Sequence, residues 1–455
     1  MITYQDFTSR RGDGIEAVRA VVEDYVSTDL YRTAVVADLY DRQKNKTIND
    51  YVKTLMTATG TLVTDVISAN NKIASNFFAR LNVQRCAYSL GNGITFPGEG
   101  VKERLGSDID TVLYRAAYFA LIHGMVFLFY NVDRIVPFLA TEFAPLWDED
   151  TGALAAGVRF WRLDNDHPIT YVLYEPDGVS RWREFGDVVE QVEDRTPYKV
   201  HIARTAALGD TVIGASGYGG RLPVVPLYGS RLHQSTLIGM QQAIDSYDLI
   251  RSGFANDLSD CTQIYWIIKN AGGMSEEDLN HFRQRLLRHV AVVNSEDGGD
   301  VEPHTMEIPY EARCKYLNDL RAGIFEDFGA LDVQTLSANS RTATSIRAAY
   351  EPMDEEADDF EMQIITAIKQ ILEFSGPVGA EECPIFKRSR ISDIASQVTM
   401  VLSEAEFLDS QTILEKLPNI SPDEVQEIMK RKEAEDISRF DGDGGTPGEE
   451  EDEEE

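Results

Sequence analysis

Seven histidines, four cysteines and two close carboxylate pairs are the residues of this chain that could do chemistry. His281 and His289 stand two turns apart on a predicted helix among Arg283, Arg285 and Arg288, which suits a cationic face better than a metal site. Asp148/Asp150 and Asp164/Asp166 could hold a hard cation. Neither pair has the Gly and Glu of a calcium loop, so both read as solvated turns. Cys86, Cys261, Cys314 and Cys383 form no CxxC or Cys/His spacing and read as small apolar residues of a reducing compartment. No Gly precedes a Lys, no HExxH occurs, and "GASGYGG" from Gly214 to Gly220 fits neither GxSxG nor GxGxxG; a mobile hairpin is its simplest reading. An enzyme reading survives as a metal-dependent hydrolase or nuclease whose scattered carboxylates converge in space, and a monomeric interaction scaffold stands beside it.

Composition narrows the frame. The chain has 455 residues, 43% apolar and 26% charged, enough for two to four subdomains. Of its 33 net negative charges, nine come from the last fifteen residues, "DGDGGTPGEEEDEEE", which read as a disordered acidic tail over 441–455. A negative field argues against tight nonspecific binding of nucleic acid. Against that field, "HFRQRLLRHV" (His281 to Val290) is a local reversal, read either as a solvated face or as a contact with nucleic acid or an acidic partner. The N-terminus carries no apolar h-region, and the apolar run Ala116 to Val132 is broken by His123, Gly124 and Asn131. That run is expected to be a buried helix ending at Gly124 and a strand from Met125 to Tyr130, in a cytosolic protein with no membrane segment.

The elements that must position any site follow from period. "GIEAVRAVVEDYVST", the stretch from Thr47 to Asn82, and "GSDIDTVLYRAAYFALIHG" read as helices. From Met125 to Tyr228 the period changes to two, predicting an antiparallel sheet packed on those helices, with a turn at Glu175 to Gly178. A long helix from about Gln234 to Asp260 then places Leu237, Met240, Ile244, Tyr247, Ile250, Phe254 and Leu258 on one face, a rod of roughly 37 Å that needs something beside it. A small α/β module over 263–308 follows, with the arginine-rich helix inside it. A second helix from Pro309 carries Cys314, Leu317, Leu320, Ile324 and Phe328 on one face up to Gly329. The pattern is a head on a two-helix stalk. The polar, aperiodic segment to Thr342 is a loop, a third helix over 343–376 should kink at Pro352, and further helices close the chain.

In order and spacing, "RLPVVPLYGSRLHQSTL", "AIDSYDLIRSGFANDLSD", "YWIIKN", the inserted head, the second helix, "ATSIRAAYEPMDEEADDFEMQI" and "LDSQTILEKLPNISPDEVQEIMKRKEAED" together resemble the portal proteins of tailed bacteriophages, of the siphophage type. The resemblance covers most of the chain from about Asn71 onward. It implies an α+β, mostly helical fold: a wing of helices and antiparallel sheet over 1–232, stem helices over 233–262 and 309–329, a clip over 263–308, a tunnel loop over 330–342, a kinked wing helix over 343–376 and a helical crown over 377–440. It also implies a ring of copies, twelve as a rule, at a capsid vertex of the virion. Such a ring passes double-stranded DNA during packaging and ejection, is assembled in the host cytoplasm, and acts without active site, metal or cofactor. Implied partners are the terminase large subunit, a head-tail adaptor, and the major capsid and scaffolding proteins. Carried onto this chain, the stem interface comprises Ile244, Tyr247, Ile250, Phe254, Leu317, Leu320 and Ile324; the tunnel loop offers DNA Gln334, Thr335, Ser337, Asn339, Ser340 and Arg341; the clip docks partners through Arg283, Arg285 and Arg288.

Overall fold

The computed structural model describes residues 2–389 apart from 57–59, 66–67, 187, 204–210, 216, 261–264, 270–274, 276, 278–299, 305–308, 334–342 and 377; past 389 it describes only isolated positions. The chain divides into two units, Met1–Ser389 and Arg390–Glu455. Nearly all of the predicted crown and the whole acidic tail therefore lie outside the described residues.

The first unit is α+β. Its helices are α1 (Tyr4–Ser9), α2 (Ile15–Val26), α3 (Asp29–Asp41), α4 (Lys46–Asp50), α5 (Phe77–Leu90), α6 (Val101–Leu105), α7 (Ile109–His123), α8 (Gln241–Asp260), α9 (Tyr310–Asp327) and α10 (Ala343–Leu372). The strands are β1 (Thr54–Met56), β2 (Leu62–Thr64), β3 (Ile94–Thr95), β4 (Met125–Asn131), β5 (Arg134–Leu139), β6 (Phe143–Trp147), β7 (Leu154–Trp161), β8 (Ile169–Glu175), β9 (Gly178–Phe185), β10 (Val188–Thr196), β11 (Lys199–Ala203), β12 (Thr211–Ala215), β13 (Val224–Tyr228), β14 (Tyr265–Lys269), β15 (Asp300–His304) and β16 (Ile385–Phe386).

The described elements of the period-two block are all strands, but they form two principal sheets and a separate β11–β12 hairpin rather than one sheet. A three-stranded sheet has the order β13-β4-β5, and a five-stranded meander runs β10-β9-β8-β7-β6. The chain changes sheets between Leu139 and Phe143, where the buried Tyr25 hydroxyl donates to the Ala140 carbonyl at 2.6 Å. Phe143 crosses the join and meets Phe127 at 4.5 Å between ring centroids. Gly157 on β7 makes room for it, since a Cβ there would lie 2.2 Å from the Phe143 ring. Val18, Val21 and Tyr25 of α2 pack on Leu146, Val158 and Trp182 of the meander. The three-stranded sheet instead shares a larger core with α7 and with Phe360, Ile364, Ile368 and Ile371 of α10, a stripe at helical spacing.

The expected boundary inside the apolar run is where the sequence puts it. Gly124, at φ +89°, closes α7, and β4 begins at the next residue. No other residue fits there, because the backbone is left-handed and a Cβ would sit 2.7 Å from Ser235 N.

Several expectations need correction. The stretch from Thr47 to Asn82 is not continuous helix: it holds the end of α4, the hairpin β1–β2, an extended segment and the start of α5. The segment is rich in threonine and valine, and Gly60 sits at φ +81°, both of which favour a strand and turn over helix. The α3 segment, which the sequence reading passed over, is a helix of thirteen residues capped by the Thr28 side chain. The long helix starts at Gln241, not Gln234. Thr236 N–H donates to the Leu121 carbonyl at 3.0 Å, its hydroxyl bonds Asn82 at 2.9 Å, and Gly239 sits at φ +92°, so this stretch turns before the helix can begin. Gly214 lies within β12, and Gly217, Gly219 and Gly220 turn the chain toward β13, so the glycine cluster follows a hairpin rather than forming its tip. Cys86 is buried as expected, whereas Cys314 and Cys383 are half-buried. Helix α10 contains Pro352 and ends at Leu372, short of the expected Gly376. Within the predicted head, the strand paired with β14 is β15, in antiparallel register from Tyr265 with His304 to Lys269 with Asp300.

Candidate functional site

Helices α8 and α9 are the elements that the sequence singles out, and the structure lays them side by side with β14 and β15 between them in sequence. Their near ends are buried. Leu237, Met240 and Ile244 pack with Ile324 and Phe328 against Tyr40, Phe78 and Leu81. Phe77 bridges the pair, its ring 4.9 Å from Tyr247 and 6.2 Å from Phe325. Ile244 and Ile324 are thus fully enclosed by the chain's own core. Both are withdrawn from the predicted interface between copies, because a side chain without exposed surface has none to offer.

The far ends differ. Ile250, Phe254, Leu317 and Leu320 are half-buried, and Leu258, Tyr310 and Tyr316 are exposed. Phe254 meets Tyr310 at 5.7 Å, and Arg313 pairs with Asp257 across the two helices. Beside these contacts Ile250, Gly253, Ala312 and Tyr316 line an open recess of about 520 Å³. An apolar seam, half-exposed, therefore runs along the outer half of the helix pair, with the Arg313 guanidinium 5.8 Å from the Phe254 ring centre.

The opposite face of α8 is polar, and here sequence reasoning missed the main contact. Asp248, Ser252 and Asn256, four residues apart, point at the extended segment before α5. Ser75 N–H donates to Asp248 Oδ1 at 2.9 Å, Ile73 N–H to Ser252 Oγ at 3.0 Å, and Asn71 N–H to Asn256 Oδ1 at 2.5 Å. Alternate amides of a strand-like segment are held by every fourth side chain of a helix, with the two running antiparallel. The carbonyl side is held by side chains as well: Asn45 donates to Ser75 O at 3.1 Å, and Gln43 to Ala74 O at 2.9 Å. Asn45 also donates to Asp248 Oδ2, while Tyr40 and Thr47 hydroxyls donate to Asp245. Burial raises the Asp248 carboxyl above its ordinary range, and burial, followed by the bond to Asp245, pushes the Tyr40 phenol up to about 12.

Two buried or half-buried arginines pair with carboxylates of α10. Arg85, on α5, donates to Phe328 O at the C-terminus of α9, reaches Glu356 at 3.1 Å and lies over the Phe328 ring at 4.1 Å. It thereby caps orphan carbonyl charge with a cation, although burial lowers its pKa. Arg388 faces three carboxylates of α10, with Asp354 at 3.0 Å, Glu361 at 2.9 Å and Asp358 also in contact. The only sequence signal for that site is the i, i+4, i+7 spacing of the acids.

The carboxylate pairs weighed for metal chemistry close turns instead. Asp148 Oδ1 accepts from Thr151 N–H at 2.8 Å and Asp150 N–H at 3.2 Å, and Asp164 Oδ1 accepts from Asp166 N–H at 2.9 Å. The Thr151 hydroxyl and backbone hold Asp148 below its ordinary range, and the hydrogen bond from His167 does so for Asp164. Among the described residues no helix is long and apolar enough to cross a membrane. The remaining predicted site residues, Arg283, Arg285 and Arg288 and the loop residues Gln334, Thr335, Ser337, Asn339, Ser340 and Arg341, lie outside the described residues.

The chain is 28% identical over 218 residues to the portal protein of Clostridium phage phiCD119, covering 46% of this chain and 47% of that one. It is 23% identical over 338 residues to the portal protein of Bacillus phage SPP1, covering 70% of this chain and 64% of that one. The alignments thus span about half and just under two thirds of those relatives. Among solved structures, a chain from the neck of a native GTA particle computed with C12 symmetry is 12% identical with a TM-score of 0.42, covering 75% of this chain and 89% of that one. A chain from the virion of a native gene transfer agent particle is 11% identical with a TM-score of 0.39, covering 74% and 88%. The family model for phage portal proteins of the SPP1 Gp6-like type matches residues 32–438, and the chain belongs to that family.

Proposed function

We propose that this chain is the repeating subunit of a ring at a capsid vertex, through which double-stranded DNA enters during packaging and leaves during ejection. The observation that carries the reading is the half-exposed apolar seam of Ile250, Phe254, Leu317 and Leu320 on a pair of long helices whose inner ends are locked in the core. Apolar area of this kind marks an association surface, and a closed ring covers it without leaving a free end. Helices α8 and α9 serve as the stem and residues 263–308 as the clip. Residues 1–232 form the wing, with α10 completing it, and 377–440 form the crown. Residues 330–342 form the loop that meets DNA, twelve is the expected number of copies, and the virion vertex is the expected location.

An acidic ring suits a duplex that must slide. Every phosphate neutralised by Lys or Arg adds salt-sensitive affinity that would hold the strand, and a negative wall adds none. The clip arginines Arg283, Arg285 and Arg288 are the surface proposed to dock an acidic face of the terminase large subunit or the head-tail adaptor. Negative-stain imaging and native mass measurement of the purified chain test the reading. Closed rings with a central hole are expected. A monomer at every concentration, or a metal-dependent nuclease activity lost on changing a carboxylate pair, overturns it.

A further inference from the structure

Strands β1 and β2 pair with each other and with no other described strand, in the register Thr54 with Thr64 and Met56 with Leu62. A two-stranded hairpin in water is marginal and needs a further layer over its apolar face. This one presents such a face. Met56 is 71% exposed, Leu62 65% and Val52 56%, the highest run of apolar exposure in the N-terminal part of the chain. Between Tyr51 and Thr64 the one charged residue is Lys53, in a chain that is 26% charged. Lys53 is turned to the base, donating to the Ala69 carbonyl at 3.3 Å and standing 4.0 Å from Asp65.

The base is fixed. Asp65 N–H donates to the Lys53 carbonyl at 2.9 Å, and the segment that follows is held to α8 by the Asn256, Ser252 and Asp248 contacts. The result is a neutral apolar projection on an anchored stem.

We propose that this hairpin is an arm that seats on a second copy of the chain, an inference that rests on the ring reading and adds a contact separate from the α8–α9 seam. Charge selects the occupant. Two copies carrying 33 net negative charges each repel through most of their surfaces, so contacts between them must run through neutral ground, which the hairpin supplies. A basic partner would instead be drawn to the acidic faces, and anionic lipid headgroups would repel the chain. A ring interface is heterologous, so an arm on one flank can be received by a different surface on the flank of the next copy.

The test uses the full chain with a photo-crosslinking residue in place of Met56, assembled from a mixture of isotopically light and heavy copies. Irradiation should join light to heavy chains, and peptide mapping then identifies the receiving surface. A crosslink confined to one copy, or formed only with another protein, overturns the proposal. In parallel, Met56→Asp combined with Leu62→Asp should raise the concentration needed for assembly by about tenfold or more, since a carboxylate loses its hydration where the apolar side chains lost theirs at no cost. Circular dichroism matching the wild type excludes a folding defect, and the crosslink decides the matter if the double variant does not fold. Rings that form at the wild-type concentration with the charged hairpin overturn the arm alone; absence of rings in the wild type overturns the ring reading with it.

Discussion

Asp248, fully buried on α8, accepts a hydrogen bond from the backbone N–H of Ser75 at 2.9 Å across 173 positions of sequence. The helix therefore answers two demands at once. Its apolar face fills the core and its polar face satisfies an extended segment that has no sheet to join. A buried amide without a partner would cost about 1–3 kcal/mol, which is why these side chains cannot be replaced by apolar ones of similar size.

Asp248→Leu should lower stability by about 2 kcal/mol, read as a shift in the denaturant midpoint, because it leaves the Ser75 N–H and the Asn45 N–H₂ without their acceptor. The pH dependence has a definite sign. Burial raises the folded-state pKa of Asp248, so its favourable contribution is complete below the unfolded value near 3.9 and fades as pH rises through the folded one. The difference in unfolding free energy, wild type minus Asp248→Leu, should narrow from pH 4 upward. A gap that widens would contradict the assignment.

Arg388→Gln should cost about 1–2 kcal/mol, allowing for partial exposure, and raise amide hydrogen exchange along the Asp354 to Glu361 stretch of α10. Without the guanidinium, Asp354, Asp358 and Glu361 lose the cation they share. Added salt should recover part of the loss. A variant as stable as the wild type at low salt would show that the contact is incidental.

Ile250→Asp should break rings into smaller, folded species, since Ile250 borders the open recess beside Tyr316. Ile244→Asp, two turns earlier and enclosed by Met240, Ile324 and Phe328, should instead prevent folding, because it places a charge in the core. Sedimentation and circular dichroism on the pair separate surface from core. Intact rings from Ile250→Asp would refute the seam as an interface.

Deleting Thr335 to Asn339 should leave ring assembly unchanged and impair the packaging or retention of DNA. Neutral amides and hydroxyls such as Gln334, Ser337 and Asn339 can make short-lived bonds to a moving duplex without the counterion-release term of a Lys or Arg ring. Capsids that fill and hold DNA normally with the deletion would reduce this segment to a connector.

What the sequence made legible was what side chains encode by period and punctuation. The Gly124 boundary, the strands from Met125 to Tyr228 and the apolar face of α8 all fall in that class. What it hid was coverage. A stripe says that Ile244 and Ile250 share a face, but not that Phe78 and Phe328 close over the first and leave the second open. The segment 71–75 was hidden for another reason, since its backbone rather than its side chains makes the contact with α8. Residues 47–64 were misread because threonine and valine at mixed spacing satisfy a helical template as easily as a strand until the turn at Gly60 is seen.

The contact between α8 and the segment before α5 works as a vernier. Two residues of strand advance about 6.6 Å and four residues of helix about 6.0 Å, so each successive rung drifts by about 0.6 Å. Three rungs, Ser75, Ile73 and Asn71, keep hydrogen-bond length, and a longer run would slip out of step. The mismatch of two rulers thus limits how far the chain can follow the helix before it must turn away, into α5 at one end and toward the hairpin at the other.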